Sequence, residues 1–275
     1  MTKTWVYIEI ARPQNMFLGM LLVFTGAIVG SGTLVLSFPL LLALVSISFA
    51  AAGTIVLNNY SDIKIDKIVH PSRPLPSKKI SPEKVLYFGV SMFAISISIA
   101  FFVNITYTLF TFLGVILFVL YETCFKKYGL IGNLLVAIVI PLICVAGGYI
   151  VNNPYPSYFL VIVLFPQIFG GEIIRDVRDF KGDKIIRKTL PSKIGGKPAL
   201  FVGLLIIFIT IFISPIPYLL KISSFWYLLG IVVTDILIII GVLISVKDNK
   251  KIILTTKITK IAIVVTIFSF LIGIF

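Results

Sequence analysis

The sequence predicts an all-α, polytopic membrane protein, a bundle of nine transmembrane helices with its N-terminus in the cytoplasm. Of 275 residues, 59% are apolar and only 13% are charged, whereas a soluble domain carries about 45–50% apolar and about 25% charged residues. The apolar residues form long continuous runs, unlike the roughly ten-residue alternating segments of a membrane β-barrel. The basic residues lie almost entirely in alternate connections between these runs. Such a composition excludes a soluble domain, a disordered chain and a nucleic-acid binder.

Each predicted span is an apolar run of about 18–25 residues, long enough at about 1.5 Å per residue to cross about 30 Å of hydrocarbon. In chain order the spans are 13–31, 36–60, 84–103, 106–123, 131–151, 156–174, 199–220, 225–246 and 258–275. Because eight spans follow the first, and no small-residue cleavage site stands out, the first is not predicted to be a signal peptide. We expect one domain over residues 1–275.

The distribution of basic residues predicts the orientation of the chain. Of 24 Lys and Arg residues, 23 lie before the first span or in alternate connections, and only Lys221 lies in the others. The positive-inside rule therefore places the N-terminus in the cytoplasm and, with an odd number of spans, the C-terminus outside. The formal net charge of +13 also suits contact with anionic membrane lipids.

Six of the eleven acidic residues form two short motifs on the predicted cytoplasmic side. The first aspartate motif is Asn58, Asp62 and Asp66, spaced so that a continuous helix would bring them within about 80° on one face. The second aspartate motif is Asp176, Asp179 and Asp183, and Glu172 precedes it. On a continuous helix these four side chains would lie within about 60° on one face.

Stacked carboxylates repel each other and destabilise a helix unless a cation holds them. Carboxylate and amide oxygens are hard ligands that suit Mg²⁺, which is commonly shared between one or two carboxylates and substrate phosphates. The two motifs therefore predict two Mg²⁺ sites serving one diphosphate, with the ligands Asn58, Asp62, Asp66, Asp176, Asp179 and Asp183. The alternative is that these are solvated loop acids that balance nearby Lys and Arg.

These motifs, together with three other segments in the same order, resemble the UbiA superfamily of intramembrane prenyltransferases. The other segments are Arg12-Pro13-Gln14-Asn15 at the entry to the first span, the loop 73–81, and the stretch 121–133 with its Gly132-Asn133. Two residues depart from the family pattern: Lys78 stands at a usual Gly and Glu122 at a usual Ser. Neither change removes a predicted metal ligand.

The resemblance implies a nine-helix fold, a Mg²⁺ requirement and an isoprenyl diphosphate donor. Metals and cations neutralise the charge that develops on the leaving pyrophosphate. We expect Asp62, Asp66, Asp176 and Asp179 to be catalytic through the metals. Diphosphate contacts are expected from Arg73, Lys126, Lys127 and Asn15, although Asn15 could equally form only a hydrogen bond between helices.

The expected acceptor is a lipid phosphate, which Arg175 and Lys188 would bind. The compact length and the pattern of the second motif resemble the branch of the superfamily that makes the second ether bond of archaeal lipids. There a geranylgeranyl group passes to the free hydroxyl of geranylgeranylglyceryl phosphate. The eight Lys and Arg residues of 175–197 would suit an acceptor that carries a phosphate. An aromatic acceptor such as 4-hydroxybenzoate or a quinone precursor remains the alternative within the superfamily. A secondary transporter and a non-catalytic scaffold are the alternatives outside it.

Two further residues carry local expectations. Asp235 lies in the middle of the eighth predicted span, where a charge is costly in lipid, so we expect it to face other helices. Ser81, followed by Pro82, has the pattern of a helix N-cap with proline in the first turn.

Overall fold

The structure is a computed structural model that describes residues 3–13, 16–183 and 188–275. The described residues form helices and connecting turns, with no β-strand among them. The helices are α1 Lys3–Ala11, α2 Met16–Ser31, α3 Phe38–Ser61, α4 Ile63–Val69, α5 Pro82–Phe101, α6 Ile105–Leu120, α7 Leu130–Ile150, α8 Tyr155–Asp183, α9 Leu190–Ile194, α10 Gly196–Ile213, α11 Ile216–Leu219, α12 Phe225–Lys247 and α13 Ile252–Ile272. A π-helix, Tyr121–Phe125, and a 3₁₀ turn, Lys126–Tyr128, link α6 to α7, and a second 3₁₀ turn, Asn249–Lys251, precedes α13.

Eight helical segments in the described ranges are long and apolar enough to cross a membrane, and the number is nine if the bent pair of α1 and α2 counts as one span. These segments agree with the nine predicted spans and confirm a multi-pass membrane protein. Two helices extend well beyond the predicted spans, because α8 continues past residue 174 to Asp183 and α13 begins at Ile252 instead of residue 258. Lys257 and Lys260 therefore lie on this helix, and the connection before it is a tight turn.

Polar side chains at the helix starts explain several boundaries. The Ser37 hydroxyl accepts a hydrogen bond from the Leu40 amide at the start of α3, and the Asn104 side chain accepts one from the Tyr107 amide at the start of α6. Ser81 accepts from the Lys84 amide at 3.4 Å with Pro82 in the first turn, which confirms the predicted N-cap. Such caps satisfy amide groups that have no partner within the helix.

The chain divides into two compact units, and the first comprises Met1–Phe24 and Leu36–Cys124. In this unit α3 packs mainly against α5. Buried hydroxyls join the two helices, since Ser46 and Ser96 each donate to the other's backbone carbonyl, at 2.9 and 2.8 Å. The buried Tyr107 hydroxyl on α6 donates to the Ala43 carbonyl of α3 at 2.9 Å. Hydrogen bonds of this kind hold helices together where lipid supplies no hydrophobic driving force.

The second unit comprises Thr25–Val35 and Phe125–Phe275, with α8 packed against α7, α10 and α13. Small residues permit close approach, because a Cβ on Gly26 would lie 1.8 Å from the Cys144 carbonyl oxygen of α7. Buried Gln167 of α8 donates to Thr266 of α13 at 2.9 Å. The Ser214 hydroxyl donates one bifurcated hydrogen bond to the Asp235 carboxylate, with distances of 3.2 and 3.1 Å to its two oxygens. This partner confirms that Asp235 faces another part of the protein.

Candidate active site

The first aspartate motif lies where one helix ends and the next begins. Helix α3 ends at Ser61, Asp62 caps it with φ −88° and ψ 8°, and α4 follows. The prediction of one continuous helix face is therefore wrong at Asp62. Nevertheless the Asp62 amide donates to the Asn58 carbonyl at 2.9 Å, and the Asp66 amide donates to the Asp62 carbonyl at 2.8 Å. These two bonds keep the motif residues one helical turn apart across the break.

Asp66 is the buried acid of this motif, with 5% of its surface exposed. Its carboxylate forms an ion pair with Arg73 at 2.6 Å. The loop that carries Arg73 folds back on itself, since the Ser77 amide donates to the Arg73 carbonyl and the Lys79 amide donates to the Pro74 carbonyl. The structure thus brings together a predicted metal ligand and a predicted diphosphate-binding cation within one unit.

Lys78 in this loop has φ +62°. Residues other than glycine rarely adopt this left-handed conformation, because their Cβ approaches the following carbonyl. The family pattern has Gly at this position, and the backbone conformation gives the physical reason for it. The departure at Lys78 is therefore a strained backbone position in the loop that carries Arg73.

Arg12 and Asn59 line a basic cavity that the sequence pattern alone does not predict. Arg12 donates through Nη2 to the Asn59 side chain at 3.3 Å, and buried Asn59 donates to the Ile10 carbonyl at 3.3 Å. The two residues line a cavity of about 90 Å³ together with Arg73 and Glu9. Burial lowers the pKa of the Arg12 guanidinium, and the nearby positive charge of Arg73 lowers it further. Two guanidiniums at one cavity suit an anionic ligand.

A carboxylate outside the predicted metal ligands also reaches the first motif. The Asn58 amide nitrogen donates to Glu122 Oε1 at 2.8 Å. Glu122 lies in the π-helix Tyr121–Phe125, a form that occurs frequently at functional sites. Glu122 was seen in the sequence only as a departure from the family pattern.

The second aspartate motif lies on α8, which continues without a break to Asp183, as predicted. Asp176 has 6% of its surface exposed, and its carboxylate accepts a 2.7 Å hydrogen bond from the Asn133 amide of α7. Asp179 is more open, with 45% of its side chain exposed, and forms two 2.7 Å hydrogen bonds with Arg178. The Asp183 side chain lies outside the described part of the structure, as does Asn15.

Three of the predicted cations of the second unit lie on two loops that touch, and Arg175 lies on α8. Lys126 and Lys127 lie in the 3₁₀ turn, and the Lys127 ammonium lies 5.1 Å from the Tyr128 ring centroid. The Lys188 amide donates to the Lys127 carbonyl at 2.9 Å. A backbone hydrogen bond therefore joins Lys188, predicted for the acceptor, to Lys127, predicted for the diphosphate. Arg175 forms an ion pair with Glu172 one turn away on α8.

The oxygen donors suit Mg²⁺, although the described side chains do not gather three His, Cys, Asp or Glu residues at one point. Asp66 and Asp176 are buried acids. Asp66 accepts a hydrogen bond from the Arg73 guanidinium, and Asp176 accepts one from the Asn133 side-chain amide. Mg²⁺ keeps several waters and is usually held by one or two carboxylates plus substrate phosphates. This donor chemistry fits a cation that is shared with a bound diphosphate.

Comparisons with known proteins show the family to which the chain belongs. The UbiA prenyltransferase family matches residues 19–271. The digeranylgeranylglyceryl phosphate synthase of Methanosphaera stadtmanae is 32% identical over 270 residues, covering 97% of this chain and 98% of the relative. A solved structure of a digeranylgeranylglyceryl phosphate synthase has a TM-score of 0.83 and 29% identity, with 100% of this chain and 99% of that chain covered. A UbiA homologue from Archaeoglobus fulgidus, solved with GPP and Mg²⁺, has a TM-score of 0.69 and 20% identity, with 97% and 99% covered.

The helical multi-pass fold, the two aspartate motifs and the nearby cations are those of a membrane prenyltransferase. The chain belongs to the UbiA prenyltransferase family. Membership decides against the transporter and scaffold interpretations and confirms the resemblance seen in the sequence.

Proposed function

We propose that this protein transfers a geranylgeranyl group from geranylgeranyl diphosphate to the free hydroxyl of geranylgeranylglyceryl phosphate in a Mg²⁺-dependent reaction. The product carries the second ether bond of an archaeal membrane lipid, and pyrophosphate is released. The observation that carries this proposal is the end-to-end likeness to digeranylgeranylglyceryl phosphate synthases, in sequence and in structure.

The proposed step breaks the bond between the allylic C1 of the donor and the diphosphate oxygen. A bond forms between C1 and the acceptor oxygen, and the hydroxyl proton is released. When bound, Mg²⁺ supplies positive charge to the departing diphosphate. Its proposed ligands are Asn58, Asp62, Asp66, Asp176, Asp179 and Asp183. The A. fulgidus homologue, which was solved with GPP and Mg²⁺, supports a divalent metal and an isoprenyl diphosphate.

The protein's own cations contribute to the same charge balance. Arg73 is proposed to bind the diphosphate, and its planar guanidinium suits a phosphate group. Lys126 and Lys127 are proposed to act alongside it as point charges, and Asn15 as a hydrogen-bond donor. Electrostatic groups that are in place before the reaction lower the barrier most effectively when water is excluded. The long apolar helices are a suitable environment for an allylic cation that water would otherwise quench.

A phosphate on the acceptor requires cations beyond those that face the diphosphate. We propose Arg175 and Lys188 for this role, supported by the eight Lys and Arg residues of 175–197. The basic connections also support a cytoplasmic active site, since 23 of 24 Lys and Arg residues lie on one predicted side.

A comparison of acceptors tests the proposal. Purified protein receives Mg²⁺, geranylgeranyl diphosphate and either geranylgeranylglyceryl phosphate or 4-hydroxybenzoate, and mass spectrometry identifies the products. We expect the diether phosphate from the first acceptor and no prenylated product above background from the second. Efficient prenylation of the aromatic acid with an inert glyceryl phosphate would overturn the proposed acceptor and leave the family assignment intact.

A further inference from the structure

Asn58 is the amide member of the first aspartate motif. Whether its side chain can bind a metal ion depends on the orientation of the amide group. An amide group carries an acceptor oxygen and a donor nitrogen on the same carbon. Only the oxygen can bind a cation. A freely rotating amide would therefore present the wrong atom for part of the time.

Glu122 removes this ambiguity. Its Oε1 accepts a hydrogen bond from the Asn58 Nδ2 at 2.8 Å, and both side chains belong to the first unit. The reversed amide would bring two oxygens together at this distance, which is repulsive. The carboxylate thus selects the orientation in which nitrogen faces Glu122 and Oδ1 points away from it.

The local backbone supports a specific role for Glu122. Glu122 is the second residue of the π-helix Tyr121–Phe125. This π-helix follows the end of α6 at Leu120 and precedes the 3₁₀ turn that begins at Lys126. A π-helical turn shifts the side chains that follow it relative to an uninterrupted α-helix. Since the family pattern has Ser here, the carboxylate is a feature of this chain and its hydrogen bond to Asn58 is a contact that the pattern does not specify.

We propose that Glu122 is a positioning residue that orients the Asn58 amide so that its oxygen is available to the divalent cation. This inference rests on the proposed function only in taking the first motif as a metal site. Residues that orient metal ligands typically change metal affinity by about 10–100-fold when they are replaced. Glu122 is expected to act within that range.

Metal binding by substrate-free protein provides the direct test. Mn²⁺ binding is measured by electron paramagnetic resonance on purified protein without diphosphate, and the Mg²⁺ concentration for half-maximal turnover is measured in parallel. We expect Glu122→Leu to weaken Mn²⁺ binding at least about 10-fold. Glu122→Gln keeps a carbonyl acceptor for the Asn58 amide, so its binding should stay within about threefold of wild type. Glu83→Leu, at an exposed acid in the first turn of α5, is the matched control and should bind normally.

A double substitution separates positioning from direct ligation. In an Asn58→Ala background, Glu122→Leu should cause little additional loss, because the group that it positions is absent. Equal loss in Glu122→Gln and Glu122→Leu, or additive loss in the double variant, would overturn the proposal and make Glu122 a ligand in its own right. Unchanged Mn²⁺ binding in Glu122→Leu would also overturn it. The Mn²⁺ measurement needs no acceptor, so failure of the acceptor assay alone would leave this inference standing.

Discussion

At the scale of single residues, the two motifs share one arrangement. Each contains a buried carboxylate that accepts a hydrogen bond: Asp66 from Arg73 and Asp176 from Asn133. A buried charge requires such a partner, since removing it from water is costly. The donors also orient these carboxylates, as the proposed binding of a metal and a diphosphate would require for effective electrostatic catalysis.

The first prediction concerns these two carboxylates. Asp66→Asn and Asp176→Asn each keep the size of the side chain and remove its charge, so each should lower kcat by at least about 100-fold if the metal-held charge acts in the transition state. Steady-state turnover with geranylgeranyl diphosphate is the measurement, and Glu83→Gln is the control that should retain activity. Near-normal turnover of both folded variants would show that the motifs are not the catalytic centre.

Spacing alone identified the residues of the motifs but not their partners. The two four-residue steps, from Asn58 to Asp62 and from Asp62 to Asp66, pointed to a metal site, and the structure keeps both steps at one helical turn across a helix break. The contacts of Asn58 with Glu122 and of Arg12 with Asn59 join residues 64 and 47 positions apart. Such pairings arise from tertiary packing, which helical periodicity does not encode.

At the scale of structural elements, the loop 73–81 and the turn before α7 both depend on backbone conformations that glycine favours. Lys78 has φ +62° and Gly129 has φ +29°. Gly129 also packs closely, because a Cβ there would lie 2.5 Å from the Thr189 Cα. The backbone hydrogen bond from Lys188 to Lys127 lies beside this contact.

The second prediction concerns Lys78. Lys78→Gly should raise the free energy of unfolding by about 1 kcal/mol, because it removes the left-handed strain that a Cβ causes. Chemical denaturation in detergent measures the change. Lys79→Gly, at the next position where φ is not positive, should be neutral or destabilising, since glycine there only adds conformational freedom to the unfolded chain. Equal effects at both positions would contradict the role of backbone strain.

The third prediction concerns the contact between the two basic loops. Gly129→Ala should separate them, because the new Cβ meets backbone atoms of Lys188 and Thr189 that cannot move aside. We expect the KM for at least one substrate to rise about tenfold or more, since a misplaced cation forfeits a charge-assisted contact worth roughly 1.5–3 kcal/mol. Gly114→Ala, where a Cβ meets nothing within 4 Å, should behave as wild type. An unchanged KM in folded Gly129→Ala would show that the contact does not position these loops.

At the scale of the whole molecule, composition and run length were sufficient to predict the fold class. Eight of the nine predicted spans correspond to helices of membrane-spanning length, and the first corresponds to α2, which reaches that length if the bent pair of α1 and α2 counts as one span. The early start of α13 was missed, because Lys257 and Lys260 looked like loop residues. Charged residues near the end of a membrane helix can extend their side chains toward water, so charge alone is a poor marker of a helix boundary.

The fourth prediction concerns orientation. In a Cys124→Ser background, which removes the exposed native thiol, single cysteines at Pro154 and Ile222 should react with an impermeant maleimide applied to intact cells. Cysteines at Lys79 and Lys193 should react only after lysis, since the positive-inside rule places these basic connections in the cytoplasm. The reverse labelling pattern would contradict the orientation, and labelling of all four from outside would contradict the number of spans.

The most direct test of the central claim is the stoichiometry of the proposed reaction. Purified protein is given geranylgeranyl diphosphate, geranylgeranylglyceryl phosphate and Mg²⁺, and pyrophosphate and the diether phosphate are quantified in the same samples. The account predicts one pyrophosphate for each ether bond formed, and loss of both products when EDTA removes the metal. Pyrophosphate release without ether formation, or ether formation that persists without a divalent metal, would contradict it.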